Sequence, residues 1–473
     1  MNQLGLFKLT AFAIGTTLAS GIFSISKDMA ANGAGTMAVL IGWVIAGVGM
    51  FALSMCFNRL SIVRPDLKSG IFAYAKEGFG EYIGFNAAWG YWLSAILSQV
   101  SFCTLLFAAV GHFFPAFGDG NNLLSVVCAS GLIWLFTLFI LGGVQQAVTI
   151  NTVIVIAKVI PILVFIITVI LLGAFDFSTF IDNFRGEDTG LSLGKQVLET
   201  TYSTVWIFTG IEGAIVISGR AKSTSTAGKA TAISFLSLLV LYVVISLLSI
   251  GIMPRAELAT LKDPGMATLM ASIVGPWGSI LINIGVIISI AGAMFSYVIL
   301  TADAAYAPAV MKCFPKFLTI ENSKHAPAMA LLTTTFIIQV FLIVVYFQAG
   351  TYQVCYTLST SAIMIPFFLS ALYCLKVTMD HRRLTTRSAG IGVWVISIVG
   401  TIYGAWLLIA TGVQNILISA LLYGPGVLLY GWSKMENKEK LFPTAVDLIA
   451  FIVICIGFVV SLFLIMTGRI TLF

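Results

Sequence analysis

The stretch IFTGIEGA, residues 207–214, sets an acid, Glu212, between two glycines, Gly210 and Gly213, inside an apolar run that extends from Val197 to Gly219. A second stretch, GTTLASGIF, residues 15–23, interrupts the first apolar run of the chain in the same way, with Gly15, Thr16, Thr17, Ser20 and Gly21. Glycines and hydroxyls in the middle of an apolar helix weaken it. In a bilayer, backbone freed in this way is tolerated only where it lines a cavity or is buried in protein. The first question is therefore whether these runs cross a membrane.

Composition answers it. The chain is 59% apolar and 9% charged, with a mean hydropathy of +1.03, where soluble domains carry roughly 25% charged residues. Apolar segments long enough to span a bilayer, about 20 residues each, run through Phe7–Asp28, Thr36–Phe57, Ile83–Phe113, Leu123–Gly142, Thr149–Ala174, Val197–Gly219, Thr231–Met253, Trp277–Tyr306, Ala328–Phe347, Tyr352–Leu375, Ala389–Ala410, Asn415–Trp432 and Asp447–Met466. That makes thirteen, or twelve if the pair between Ala389 and Trp432 is miscounted. The stretches between them are too short for a globular domain. The reading is an all-α polytopic membrane protein, 1–473, in one membrane domain.

The net charge of +6 follows topology and gives no ground for a nucleic-acid partner. With the N-terminus cytoplasmic, the inner loops collect Arg59, Arg64, Lys68, Lys76, Arg220, Lys222, Lys229 and the later lysines and arginines, while outer loops hold few basic residues, mixed with acids. This is the positive-inside pattern. Seven cysteines without a close pair indicate neither a disulfide framework nor a zinc site. The three histidines fall at a span end or in loops, and no HExxH or GxSxG stands in the chain. No catalytic centre, metal or cofactor is expected.

The two breaks lie five spans apart. Interrupted segments at corresponding positions of two halves point to a transporter site built on inverted repeats: spans one to five (1–175), spans six to ten (196–376), and three accessory spans (387–473). A break in one helix alone is better explained by close helix packing at glycines; the matched pair favours the site. At the second half of span one, amides near Ser20, Gly21 and Ile22 present a positive helix end suited to a carboxylate. Carbonyls at the ends of the first halves suit an ammonium. An amino acid carries both charges on one carbon.

Charges inside the spans are rare enough to be informative. Lys158 lies about nine residues into span five, roughly 14 Å deep at 1.5 Å per residue, where no stem can reach water. A central lysine costs on the order of 3 kcal/mol, so it should face the bundle and be paired or functional. It is read either as a bridge between loose carbonyls or as a coupling group. Glu212 is read either as a proton carrier or as a strut for the broken backbone. Trp206, just before the second break, and Tyr297 are the aromatics placed to meet a ligand.

Three stretches, GIFAYAKEGFGEYIGFNAAWGYWLSA (70–95), INTVIVIAKVIPILVF (150–165) and VWIFTGIEGAIVISGRAKSTSTAGKA (205–230), resemble the amino acid–polyamine–organocation superfamily. They are most similar to its bacterial basic amino acid and polyamine antiporters, among them the arginine/ornithine exchangers. The resemblance covers essentially the whole chain. It implies a five-plus-five inverted-repeat fold of the LeuT type, alternating access, and a multi-pass place in a bacterial plasma membrane; it leaves a homodimer possible. By family pattern, Thr16, Ser20, Gly21 and Ile22 match the first-helix substrate segment. Trp206, with Phe208 and Gly210 beside it, matches the sixth-helix segment, Trp206 as the aromatic that covers substrate. Glu212 matches an acid that gates or couples, and Gln99 and Ser359 match positions at the distal end of the substrate. Lys158 matches a lysine whose ammonium stands where sodium-driven relatives hold a sodium ion.

The chain departs from the pattern in two places. It reads ASGIFSISKDM, residues 19–29, without the proline common there, and it has Tyr297 where an arginine-selective relative has tryptophan. Arginine/ornithine exchange is the first expectation. Histidine/histamine or agmatine/putrescine exchange and proton-coupled uptake stay open.

Overall fold

The computed structural model describes residues 5–67, 70–143, 147–211, 224–347, 352–380 and 390–470. Regular structure among them is helical throughout. The first span is interrupted: α1 (Leu6–Thr17) ends, a single 3-10 turn covers Gly21–Phe23, and α2 (Ile25–Ala31) resumes. Then follow α3 (Thr36–Val63), α4 (Ile71–Phe79), α5 (Glu81–Gly111), α6 (Leu123–Leu141), α7 (Ala147–Leu171) and a short α8 (Phe177–Asp182). The sixth span opens with α9 (Leu193–Phe208), which stops at the second break. Beyond it lie α10 (Thr224–Ile250), two short helices α11 (Arg255–Ala259) and α12 (Gly265–Val274), then α13 (Pro276–Val310), α14 (Ala328–Phe347) and α15 (Tyr352–Met379). The chain closes with α16 (Ile391–Tyr423), α17 (Gly426–Asn437) and α18 (Ala445–Met466).

Among the described residues, nine helical runs are long and apolar enough to cross a bilayer. The other expected spans are the two broken ones, α7, and one member of the run Ile391–Asn437. That run turns without a loop at Gly412, whose φ of 67° and ψ of 160° place it in a region that only glycine enters readily. The expected boundary between the eleventh and twelfth spans, between Ala410 and Asn415, falls there.

Lipid is as apolar as a leucine side chain, so helices in a bilayer associate through close packing at small residues and through hydrogen bonds. At Gly49 on α3, an added Cβ would stand 2.1 Å from the Tyr403 ring of α16. The exposed fraction separates centre from periphery: 94% of the most apolar window of α5 is buried, against 6% for α18. Helix α5 is thus the buried mast, packed against α13 and α15, and α18 faces lipid along almost its whole length.

One polar residue anchors that peripheral helix. Asp447, fully buried, closes a capping box with Thr444 at the start of α18 and also accepts the Tyr82 amide at the start of α5, 2.9 Å away. Truncating it strands these donors, which costs roughly 1–3 kcal/mol in a buried site. Asp447→Ala is expected to lower the unfolding temperature in detergent and to detach α18, while ligand affinity stays at the wild-type value; an unchanged unfolding temperature would count against this anchor.

Candidate functional site

Helix α1 ends because its last turn is weak. Leu18 still donates to Ile14 at 2.8 Å, and the Thr17 hydroxyl turns back on the Ala13 carbonyl at 2.8 Å. Beyond that point the amides of Ser20, Gly21 and Ile22 find no backbone carbonyl among the described residues, and the buried Ser20 hydroxyl is likewise unpartnered. Backbone polar groups buried without partners are rare, so their cluster at the break makes it the candidate place for a polar ligand.

Lys158 supplies the other half of the break. Its ammonium, 1% exposed, donates to the carbonyls of Gly15 at 3.1 Å and Leu18 at 3.0 Å. A charge is placed where helix α1 leaves carbonyls unpaired, which ties α7 to the broken span. Pro161, one turn further along α7, packs against α13 at Gly285, where an added Cβ would meet the proline ring at 2.1 Å.

The second break begins after α9, at Thr209, Gly210 and Ile211, and Gly210 takes a positive φ of 103°. The carbonyls here are claimed by tyrosines: Tyr242 donates to Ile207 at 3.1 Å and Tyr297 to Thr209 at 3.4 Å. Trp206 lies across the gap and packs on Gly21, where an added Cβ would stand 2.8 Å from its ring. Its indole N–H donates to the Tyr352 hydroxyl at 2.9 Å. Its ring stacks on Tyr356 at 5.6 Å and tilts against Phe102 at 5.8 Å.

Between the two breaks is a narrow cavity of about 10 Å³, room for a single water in this conformation, walled by Ser20, Gly21, Ile22, Trp206, Thr209 and Tyr297, with Thr17, Phe102 and Tyr242 among its further neighbours. Of the residues singled out in the sequence, these walls bring together Ser20, Gly21, Ile22, Trp206 and Tyr297. Three others sit apart. Gln99 donates to the Met294 carbonyl on α13 at 3.0 Å. Ser359 is held by Ser94 and Ser98 of α5 at 3.0 and 2.9 Å. Phe208 stacks on Phe235 at 4.8 Å. Glu212 and the Thr16 side chain lie outside the described residues. The sequence does not single out Phe102, Thr209, Tyr242, Tyr352 and Tyr356, which also stand at the site. Thr209 carried a signal, being a hydroxyl next to Gly210, and Tyr352 and Tyr356 share a face at helical spacing.

Losing the indole should loosen the closed site. Trp206→Ala is expected to weaken ligand binding by the roughly 0.5–2 kcal/mol typical of an aromatic face on a cation, with Trp206→Phe keeping part of it. Wild-type affinity in folded Trp206→Ala protein would reassign the residue to packing.

Residues 4–430 match the family described as amino acid permease. Over its full length the chain is 41% identical to an arginine/ornithine antiporter of Pseudomonas aeruginosa, covering 99% of that protein. It is 35% identical to an arginine/agmatine antiporter of Chlamydia trachomatis, with 99% of this chain and 98% of the relative covered. Among solved structures, that of a Na+-coupled sialic acid symporter in a substrate-bound outward-open state aligns with a TM-score of 0.54 at 11% identity, over 87% of this chain and 90% of that one. At that identity the likeness speaks for the fold: a transporter architecture with interrupted helices.

Proposed function

The chain belongs to the amino acid permease family, and from that membership we propose that it is an antiporter, exchanging a cationic amino acid for a related amino acid or amine across a bacterial plasma membrane. The N-terminus is cytoplasmic, as the distribution of Lys and Arg favours. The observation that carries the reading is the cavity between the two breaks. Amides at Ser20, Gly21 and Ile22 that find no backbone carbonyl among the described residues suit the carboxylate, and carbonyls at the ends of α1 and α9, each able to accept a second hydrogen bond beside those from Lys158, Tyr242 and Tyr297, suit the α-ammonium. Full-length similarity to arginine/ornithine and arginine/agmatine antiporters favours arginine as one substrate and ornithine or agmatine as the other.

Spans one to five and six to ten, residues 1–175 and 196–376, form the two halves that rock about the site, with 387–473 outside them. Transport runs without sodium, since the Lys158 ammonium already occupies carbonyls that a cation would hold. The test is counterflow in proteoliposomes: labelled arginine should enter sodium-free vesicles only when they are loaded with arginine, ornithine or agmatine. Uptake into empty vesicles driven by a proton gradient would replace exchange with proton-coupled uptake.

A further inference from the structure

The distal residues expected to meet the side chain of a cationic substrate, Gln99, Tyr297 and Ser359, are all neutral. The structure holds a buried acid with an unpartnered carboxyl oxygen elsewhere, on α2. Asp28 sits on α2, between the first break and the outer surface, and is 1% exposed. Its Oδ1 has no hydrogen-bond partner among the described residues. A carboxylate buried in this way costs several kcal/mol unless a cation answers it.

The nearest cation is committed elsewhere. Lys27 donates to Asp263, in the segment between α11 and α12, at 2.5 Å. Ser24 donates to the other oxygen of the same carboxylate at 2.9 Å. Ser24 also accepts the Asp28 amide on its carbonyl at 2.8 Å, so one residue ties Asp263 to the turn that carries Asp28. Lys27 is thus spent on Asp263, and no ion pair among the described residues reaches Asp28. Arg255, the next cation on this side, is bound to Asp188 and to the Ala30 carbonyl.

We propose that Asp28, flanked by Asp263, is an outer cation subsite that receives the side-chain ammonium or guanidinium of a dibasic amino acid or amine as it passes between the outer solution and the cavity beneath Trp206. This rests on the exchanger reading above. In the conformation described, the subsite is closed by the Lys27–Asp263 pair and by the Gln353–Asn32 hydrogen bond at 2.9 Å, which join α2 to the outer loop and to α15. Parting these contacts exposes Asp28 to the entering cation. The subsite selects by charge before the ligand reaches the neutral cavity, and it discriminates against an uncharged isostere by leaving Asp28 without a partner.

The test uses the full chain in lipid nanodiscs, with labelled arginine displaced by unlabelled arginine, ornithine, agmatine and the uncharged arginine isostere citrulline. Asp28→Asn should weaken the three cationic competitors about tenfold relative to citrulline, a preference of the size one charge pair supplies, and Asp28→Glu should restore part of it. Lys27→Gln, which leaves the cluster more negative, should shift the cationic preference the opposite way, a reversal that damage to folding would not produce. Equal shifts for charged and uncharged competitors in Asp28→Asn, or no reversal in Lys27→Gln, overturn the subsite while leaving the exchanger reading intact. Wild-type protein that binds none of the cationic ligands overturns both.

Discussion

Replacing Lys158 by alanine is expected to reduce exchange at least tenfold while the protein remains folded. The ammonium makes two charge-assisted hydrogen bonds, to Gly15 and Leu18, each worth roughly 1.5–3 kcal/mol. Burying the charge costs a comparable amount, so its removal leaves the net folding free energy nearly unchanged. The effect on mechanism does not cancel in the same way. Those two carbonyls belong to the broken segment that, in the proposed exchange cycle, must hold one geometry when substrate binds, and Lys158 bonds it to α7. Losing as little as 1.4 kcal/mol from the closed state slows turnover about tenfold. Lys158→Arg keeps the charge but replaces a compact ammonium by a planar fork, which two carbonyls three residues apart accommodate poorly, so partial activity at best is expected. Exchange measured in proteoliposomes with and without sodium decides the matter. A normal rate for Lys158→Ala in sodium-free buffer, or stimulation of the unmutated protein by sodium, contradicts the assignment.

Lys158 was legible because a charge at the midplane of a span has so few physical explanations. The breaks were legible for a related reason: hydroxyls and glycines at Gly15–Gly21 and Thr209–Gly213 conflict with the apolar helices around them, and conflict of that kind concentrates at functional sites. Azimuth was not legible. Gln99 and Ser359 each hydrogen-bond to a neighbouring helix in the conformation described, Gln99 to Met294 and Ser359 to Ser94 and Ser98. Spacing along an apolar helix gives depth reliably, but in a span buried on every side, as α5 is, no hydrophobic stripe reveals which face meets the cavity. Tyr352 and Tyr356 were hidden among the many aromatics that merely pack. Asp447 read only as the first residue of a span, because its partner at Tyr82 is remote in sequence.

Gly21→Ala should be the most damaging single methyl in the cavity. The added Cβ would stand 2.6 Å from the Ile207 side chain and 2.8 Å from the Trp206 ring, closer than carbon atoms pack. Neither neighbour yields cheaply. Trp206 is fixed by its bond to Tyr352 and by stacking on Tyr356, and Ile207 is buried on α9. Overpacking of this kind costs about 1–3 kcal/mol, here charged to the closed conformation in which the two breaks face each other. Ligand affinity should therefore fall by one to two orders of magnitude, with the unfolding temperature changing far less. The source of the loss can be checked by a double-mutant cycle: if the methyl acts through the indole, Trp206→Ala in the Gly21→Ala background should cost much less than it does alone, because the ring it removes is the one already displaced. Additive losses would place the damage in the amides of Ser20–Ile22 themselves, and unimpaired binding by Gly21→Ala would mean that α1 and α9 do not approach this closely when ligand is held.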